Sequence, residues 1–342
     1  MTVTHPQHAP IRPDWLALHQ EEPLDPARPI IDAHTHLYDR PGHRYLLPEI
    51  LADLASGHNV VATVYVQARA RYRASGPEVM RPVGETEFAN GIAAMCASGN
   101  YGPTRVCAAI IAAADLTMGA DVGPVLDAHL RASSRLRGIR QTAAWDEDAS
   151  MLNPAYRTSE DMLASEAFRA GFRELAARGL SFDAWMFFHQ LPRLADLARA
   201  FPKVPIILNH CGGLLGVGPY AGRGDEVHAI WKDEMAQLAR LPNLHVKIGG
   251  LGMRMIGLGL EARPTPATSE QLADAWRPWV HEIFELFSPD RCMFETNFPV
   301  DKSSGSYGTF WNAFKRLAEG ASSSEKDALF YGTAARVYRP IF

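Results

Sequence analysis

The chain has 342 residues, 47% of them hydrophobic, and its 34 Lys and Arg against 38 Asp and Glu leave a net charge of −4. That balance speaks against nucleic acid or an anionic membrane as a partner, and the apolar content suffices for one large barrel or two smaller domains. Cys96, Cys107, Cys211 and Cys292 form no C-x-x-C pair, so neither a zinc knot nor a disulfide framework is expected. No apolar run has transmembrane length and no signal-like apolar core opens the chain, so free thiols in the cytoplasm are the expectation.

Residues 1–28 are proline-rich and aperiodic, and read as an arm lying over the rest; His5, His8 and His19 within it are given no role. Ile30–His34 is a short buried strand running into His34-Thr35-His36, with the turn-prone Asp39-Arg40-Pro41-Gly42 just beyond. On a strand, residues two apart share a face, so His34 and His36 converge on one site. Two convergent imidazoles suit a transition metal, or a water held between bases.

A helix follows at 46–54, then the β-branched run Val60–Val66, as a strand buried on both faces requires, with Gln67 directly after it. A helix carries Phe88, Ile92, Met95 and Cys96 on one stripe. Strands at 105–111 and 137–141 flank a helix at 121–132. Residues 142–164 form a long polar insertion of the kind that holds substrate loops.

Phe168, Phe172 and Leu175 mark the fourth helix. A strand at 180–188 ends at His189-Gln190, a helix covers 191–200, and a strand at 204–208 ends at Asn209-His210 before a glycine-rich loop. Val227, Trp231, Met235 and Leu238 mark the next helix. A strand at 244–248 contains Lys247, and the loop 249–266 precedes a helix carrying Leu272, Trp276, Trp279, Ile283 and Phe287. The last strand, 291–295, ends at Glu295, followed by Asn297 and Asp301. Helices at Phe310–Leu317 and about 324–338 close the chain.

Eight short apolar strands alternating with amphipathic helices predict a single parallel (β/α)8 TIM barrel over 29–342 with an N-terminal extension. The rival, an open doubly wound sheet, needs a glycine-rich phosphate turn where His-Thr-His stands. In a parallel barrel the C-terminal strand ends form one rim. There the sequence places His34, His36, Gln67, Arg140, His189 with Gln190, His210, Lys247, Glu295, Asn297 and Asp301. Arg140 suits capture of a carboxylate, and Lys247 is either a ligand contact or a buried pair. Trp145, Trp185, Met253 and Met255 read as packing. The loops 142–164, 211–225 and 249–268 read as a lid.

His34-Thr35-His36, Gly138-Ile139-Arg140, Phe182-Asp183-Ala184-Trp185 with Gln190-Leu191, Asn209-His210-Cys211-Gly212 and Phe294-Glu295-Thr296-Asn297-Phe298-Pro299-Val300-Asp301, in that order over 29–340, resemble the amidohydrolase superfamily. Within it they are similar to the amidohydrolase-2 branch that includes 2-pyrone-4,6-dicarboxylate, fuconolactone and rhamnonolactone hydrolases. The resemblance implies a hydrolase opening a lactone of a small carboxylate or sugar acid. His34, His36 and His210 would be catalytic, with Arg140, His189, Gln190, Gln67 and Lys247 around the substrate. The family's strand-eight aspartate is Asn297 here, and a neutral amide accepts no proton at neutral pH. Asp301, or else Glu295, is then expected as the base.

A divalent metal such as zinc, if bound, would use His34, His36 and His189, whereas no organic cofactor is expected. A metal-dependent non-oxidative decarboxylase and a non-catalytic carboxylate-binding protein are the alternatives. The partner is a small molecule, and a homo-oligomer is compatible with the sequence.

Overall fold

A computed structural model describes residues 9–40 and 43–342. Eight strands make one parallel sheet in sequence order: β1 Ile30–Thr35, β2 Val60–Val66, β3 Arg105–Ala112, β4 Leu136–Thr142, β5 Ser181–Trp185, β6 Ile206–Leu208, β7 Leu244–Ile248 and β8 Cys292–Phe294. Helices follow the strands in turn: α1 Leu47–Leu54, α2 Val83–Ala97, α3 Gly123–Ala132, α4 Glu166–Ala177, α5 Leu191–Ala200, α6 Gly224–Ala239, α7 Ser269–Leu286 and α8 Tyr307–Leu317. A helical segment from Ser323 to Tyr338, with a π turn at Ala328–Gly332, ends the fold.

Residues just past β8 close the barrel against β1. The Asn297 N–H donates to the His34 carbonyl (3.1 Å), the His36 N–H to the Phe298 carbonyl (2.8 Å), and the Thr296 N–H to the buried Asp32 carboxylate (3.0 Å). Asp32 also accepts from the Thr296 and Tyr307 hydroxyls, at 2.6 and 2.9 Å. A polar seam therefore locks the strands that carry the two ends of the site.

Alternate strand residues divide the apolar core, as a period of two requires. Ile30, Tyr65, Ile110, Ile139 and Phe182 pack outward against the helices. Ile31, Ala33, Val64, Ile207 and Met293 fill the lumen, where Tyr338 joins them. Helix stripes follow the expected spacing in α6, where Val227, Trp231, Met235 and Leu238 are all buried. On α2 the stripe instead runs through Ala89, Ile92, Ala93 and Cys96, and Met95 is exposed. Pattern reading favours the larger side chain, but the turn of the helix puts the alanines inward.

β5 ends at Trp185 rather than Phe188, and His189 sits in a 3₁₀ turn at Phe188–Gln190. A small antiparallel hairpin, Tyr38–Arg40 with His43–Tyr45, follows β1; it flanks the expected turn, part of which lies outside the described residues. His5 and His8 also lie outside them. In the arm, Glu21 accepts from the Ser269 N–H (2.6 Å) and Asn312 Nδ2 (2.9 Å), and the Lys315 ammonium donates to the Leu24 carbonyl (2.6 Å). The four cysteines are buried and unpaired. No helix among the described residues is long and apolar enough to cross a membrane.

Candidate active site

His34 and His36 share one face of β1, and their Nε2 atoms lie 3.2 Å apart. His210 follows β6 with φ +55°, and its ring centre is 4.6 Å from that of His34. A left-handed backbone is uncommon for a residue with a side chain, and such strain collects at functional sites. Gly250 (φ +68°) makes room for it: a Cβ there would lie 2.5 Å from His210 Cβ. Glu295 stands between the histidines. Its Oε1 accepts from both the backbone N–H (3.0 Å) and Nδ1 (2.6 Å) of His210. Its Oε2 lies 2.9 Å from His34 Nδ1, off the line of a straight hydrogen bond, and has no other partner.

The protons can be placed from these partners. A carbonyl only accepts, so His36, whose Nδ1 lies 2.8 Å from the Val66 carbonyl oxygen, carries its proton there and leaves Nε2 bare. His210 Nδ1 donates to the carboxylate in the same way, which leaves Nε2 bare, and the residue lines the cavity. Burial holds His34 and His36 well below the usual imidazole range, helped by the Lys247 charge for His34 and the Arg140 charge for His36. Burial also lowers His210, against the opposing pull of Glu295. Each of these shifts favours the neutral ring at pH 7.

His34 cannot satisfy every neighbour in either tautomer. Its Nε2 is 3.2 Å from Arg140 Nη1 as well as from the bare His36 Nε2, and its Nδ1 is 3.3 Å from the Lys247 ammonium. A proton on Nε2 faces the arginine donor. A proton on Nδ1 faces the ammonium and sets two nitrogen lone pairs against each other. A divalent cation between the two Nε2 atoms removes the second conflict. Two nitrogens on a tetrahedral zinc, with bonds of about 2.0–2.1 Å, stand about 3.3 Å apart. The donor set fits such an ion. His34, His210 and Glu295 also offer ligand atoms within 4.8 Å of one another.

Arg140, at the middle of β4, reaches His34 through Nη1 and donates to the Gln67 carbonyl through Nη2, while its Nε has no partner among the described residues. The Gln67 side-chain oxygen is likewise free of protein donors. Asn297 is buried at φ +56°, donates from Nδ2 to Asp301 (2.8 Å), and presents a partnerless Oδ1. The other Asp301 oxygen accepts the Gly252 N–H (2.9 Å). Asp301 is therefore behind Asn297 and off the cavity wall, and burial pushes its carboxyl well above the usual range. The aspartate expected as base instead fixes which way the Asn297 amide points.

Three other expected residues also stand elsewhere. His189 is 3.1 Å from Asp146 and stacks on Tyr220 in a separate surface depression, so it does not join His34 and His36 around a metal. Gln190 is used up on backbone, with Oε1 accepting from the Trp145 and Phe187 N–H groups and Nε2 donating to the Ala143 carbonyl. Lys247 is fully buried and paired with Asp183 at 2.7 Å. Alternation along a strand end could not separate these outcomes, because β5 stops three residues early and the partner of Lys247 is far away in sequence.

The cavity over the histidines has a volume of about 320 Å³. Trp185 and Met253, read from the sequence as packing, line it, and the Trp185 ring sits 4.8 Å from that of His210. Arg40, Arg69 and Tyr156 line it as well and were missed. The signal for Arg69 was its place two residues past Gln67, at a strand end in a run of three alternating arginines.

The amidohydrolase family model matches residues 31–339. The uncharacterized protein y4mH of Sinorhizobium fredii is 35% identical over 332 residues, which is 91% of this chain and 98% of its own. An L-fucono-1,5-lactonase of Burkholderia multivorans is 30% identical over 173 residues, 50% of this chain and 55% of the lactonase. A solved amidohydrolase from Burkholderia multivorans with bound zinc is similar in fold, with a TM-score of 0.69 at 24% identity, covering 91% of this chain and 99% of that one. The chain belongs to the amidohydrolase family.

Proposed function

We propose that the protein hydrolyses a lactone, with His210 as general base and Glu295 as the group that orients it. The observation carrying this reading is the 2.6 Å contact between His210 Nδ1 and Glu295, on a histidine that lines the cavity and keeps Nε2 bare. The lactone carbonyl lies toward Arg140 and the His34–His36 pair, and the Arg140 guanidinium stabilises the oxyanion. Asn297 Oδ1 accepts one hydrogen of the attacking water, and His210 Nε2 takes the other as a proton. The water oxygen bonds to the carbonyl carbon. The ring C–O bond then breaks, and His210 returns its proton to the leaving oxygen. The product is a hydroxy acid, which releases one proton to solvent at neutral pH.

A divalent ion, such as the zinc bound by the Burkholderia neighbour, would be held by Nε2 of His34 and His36 and would supply Lewis-acid polarisation of the carbonyl. The lactonase relatives support the reaction class.

The test is a panel of γ- and δ-lactones in ¹⁸O-water, followed by proton release and mass spectrometry. One proton and one ¹⁸O in the new carboxylate per turnover are expected. Silence across the panel, or carbon dioxide release from aromatic carboxylic acids instead, would overturn the reading.

A further inference from the structure

The charge of the cavity wall is one-sided. Arg40, Arg69 and Arg140 line it, and no carboxylate does. Among the described residues none of the three is paired with an acid, whereas their neighbour Arg71 is held 3.6 Å from Asp39. Arg140 is buried, Arg40 half-buried and Arg69 exposed, and a cavity lined by cationic groups without their counterions is matched by an anionic ligand.

The arginines are also held in place. Arg40 Nη2 donates to the Ala68 carbonyl (2.6 Å), and its guanidinium lies 4.2 Å over the Tyr38 ring. This ties it to the residue just before Arg69. Arg69 itself has φ +57°, a conformation that costs energy for a residue with a side chain. Glu85, buried on α2, maintains it. One of its oxygens accepts from the N–H groups on either side of Arg69, Ala68 (2.6 Å) and Ala70 (3.1 Å), and from the Tyr65 hydroxyl (2.8 Å). One oxygen of this buried acid is thus taken up by loop geometry, and the other has no partner among the described residues. Arg69 then lies 5.2 Å from the Tyr156 ring, in the long loop after β4. Two further residues of the wall carry buried polar atoms with no partner among the described residues, Arg140 Nε and Thr142 Oγ1. Both can donate a hydrogen bond to an anion.

We propose that the substrate is an anionic lactone, bearing a carboxylate remote from the ring carbonyl, and that Arg40 and Arg69 receive this carboxylate with Thr142 and Arg140 Nε as further donors on the wall. Substrate choice rests on the lactonase reading above; the anion subsite stands without it. Glu85 is a positioning residue that acts through Arg69. A neutral sugar lactone leaves the arginines uncompensated and binds poorly.

Matched substrates test this: 5-oxotetrahydrofuran-2-carboxylate against its carboxamide, with the same ring and nearly the same shape. The carboxylate is expected to have a kcat/KM about tenfold or more above the amide, as a charged hydrogen bond of about 1.5–3 kcal/mol implies. The preference should fall toward one in Arg40→Ala and in Arg69→Ala, through KM rather than kcat, and Glu85→Gln should reduce it in the same sense. Equal use of the two lactones, or a preference that survives in both arginine variants, overturns the proposal. If neither lactone is opened, calorimetry with glutarate separates the two ideas. Binding that disappears in the arginine variants keeps the anion subsite while the lactonase reading fails, and no binding removes the subsite as well.

Discussion

Two clusters of buried charge share the inside of the barrel, and only one of them lines the cavity. In the deeper cluster Asp183 accepts from the Lys247 ammonium (2.7 Å), the Tyr338 hydroxyl (2.9 Å) and Asn209 Nδ2 (3.1 Å). The Lys247 charge also lies 5.0 Å from the Tyr338 ring centre. In the cluster above, His36 and His210 turn bare nitrogens away from their anchors, and Asn297 Oδ1 and Arg140 Nε have no protein partner. Both clusters are made of polar residues on or just past the strands, and they meet at His34, which touches Lys247 on one side and Arg140 on the other. A buried ion pair held by its own neighbours away from the cavity, with Asn209 Oδ1 as its one unpartnered atom among the described residues, is structural, and a cluster with valences turned to a cavity is built for something that arrives.

The strongest way to break this distinction is to remove one half of the finished pair. Lys247→Met leaves the Asp183 carboxylate buried without its cation, and the cost should be about 3–5 kcal/mol of folding stability. Urea unfolding measures it, and a variant as stable as the wild type would show that the deeper cluster is not structural. The opposite pattern is expected above. Glu295→Gln keeps the shape but loses the charge behind His210, so kcat should fall about 10²-fold, equivalent to about 2.7 kcal/mol, while the unfolding midpoint moves little.

The same distinction extends to the arm at a smaller scale. Burial alone would raise the Glu21 carboxyl, but His19, Ser269 and Asn312 outweigh it and hold it near 2, against 4.5 for the free group. A depressed acid stabilises the fold above its unfolded pKa and loses that contribution as pH falls through its folded value. The stability difference between wild type and Glu21→Gln should therefore be constant above pH 4.5 and shrink between about 4.5 and 2, with kcat at pH 7 unaffected. A difference that grows on acidification would mean Glu21 is not held as its partners suggest.

Much of the scaffold was legible because its signals are local. The run Val60–Val66, the strand Leu244–Ile248 and the helix Leu191–Ala200 stand as their patterns indicate, since each is bounded by a sharp change in polarity or a turn residue. The convergence of His34 and His36 follows from a period of two, and the rim location of His210 from barrel topology. What could not be read depends on distant partners. Asp301 sits four residues from Asn297 in sequence, yet only the Gly252 N–H, contributed by the loop after β7, shows that it faces away from the cavity. Lys247 is settled by Asp183, a lone acid inside the apolar strand Ser181–Trp185 that could have been recognised as needing a buried cation. His189 stands away from the histidine pair because the chain leaves β5 at Trp185 and enters a 3₁₀ turn at Phe188, where the apolar pattern alone continues the strand.

His210 carries most of the functional reading, and His210→Ala tests it most directly. Turnover of a lactone that the wild type opens should be measured beside the unfolding curve of the same variant. A folded protein whose kcat has dropped about 10³-fold, within the usual range for a lost general base, is the expected result. A folded variant that retains wild-type kcat would place the proton transfer elsewhere and contradict the assignment of the open cluster as the catalytic one.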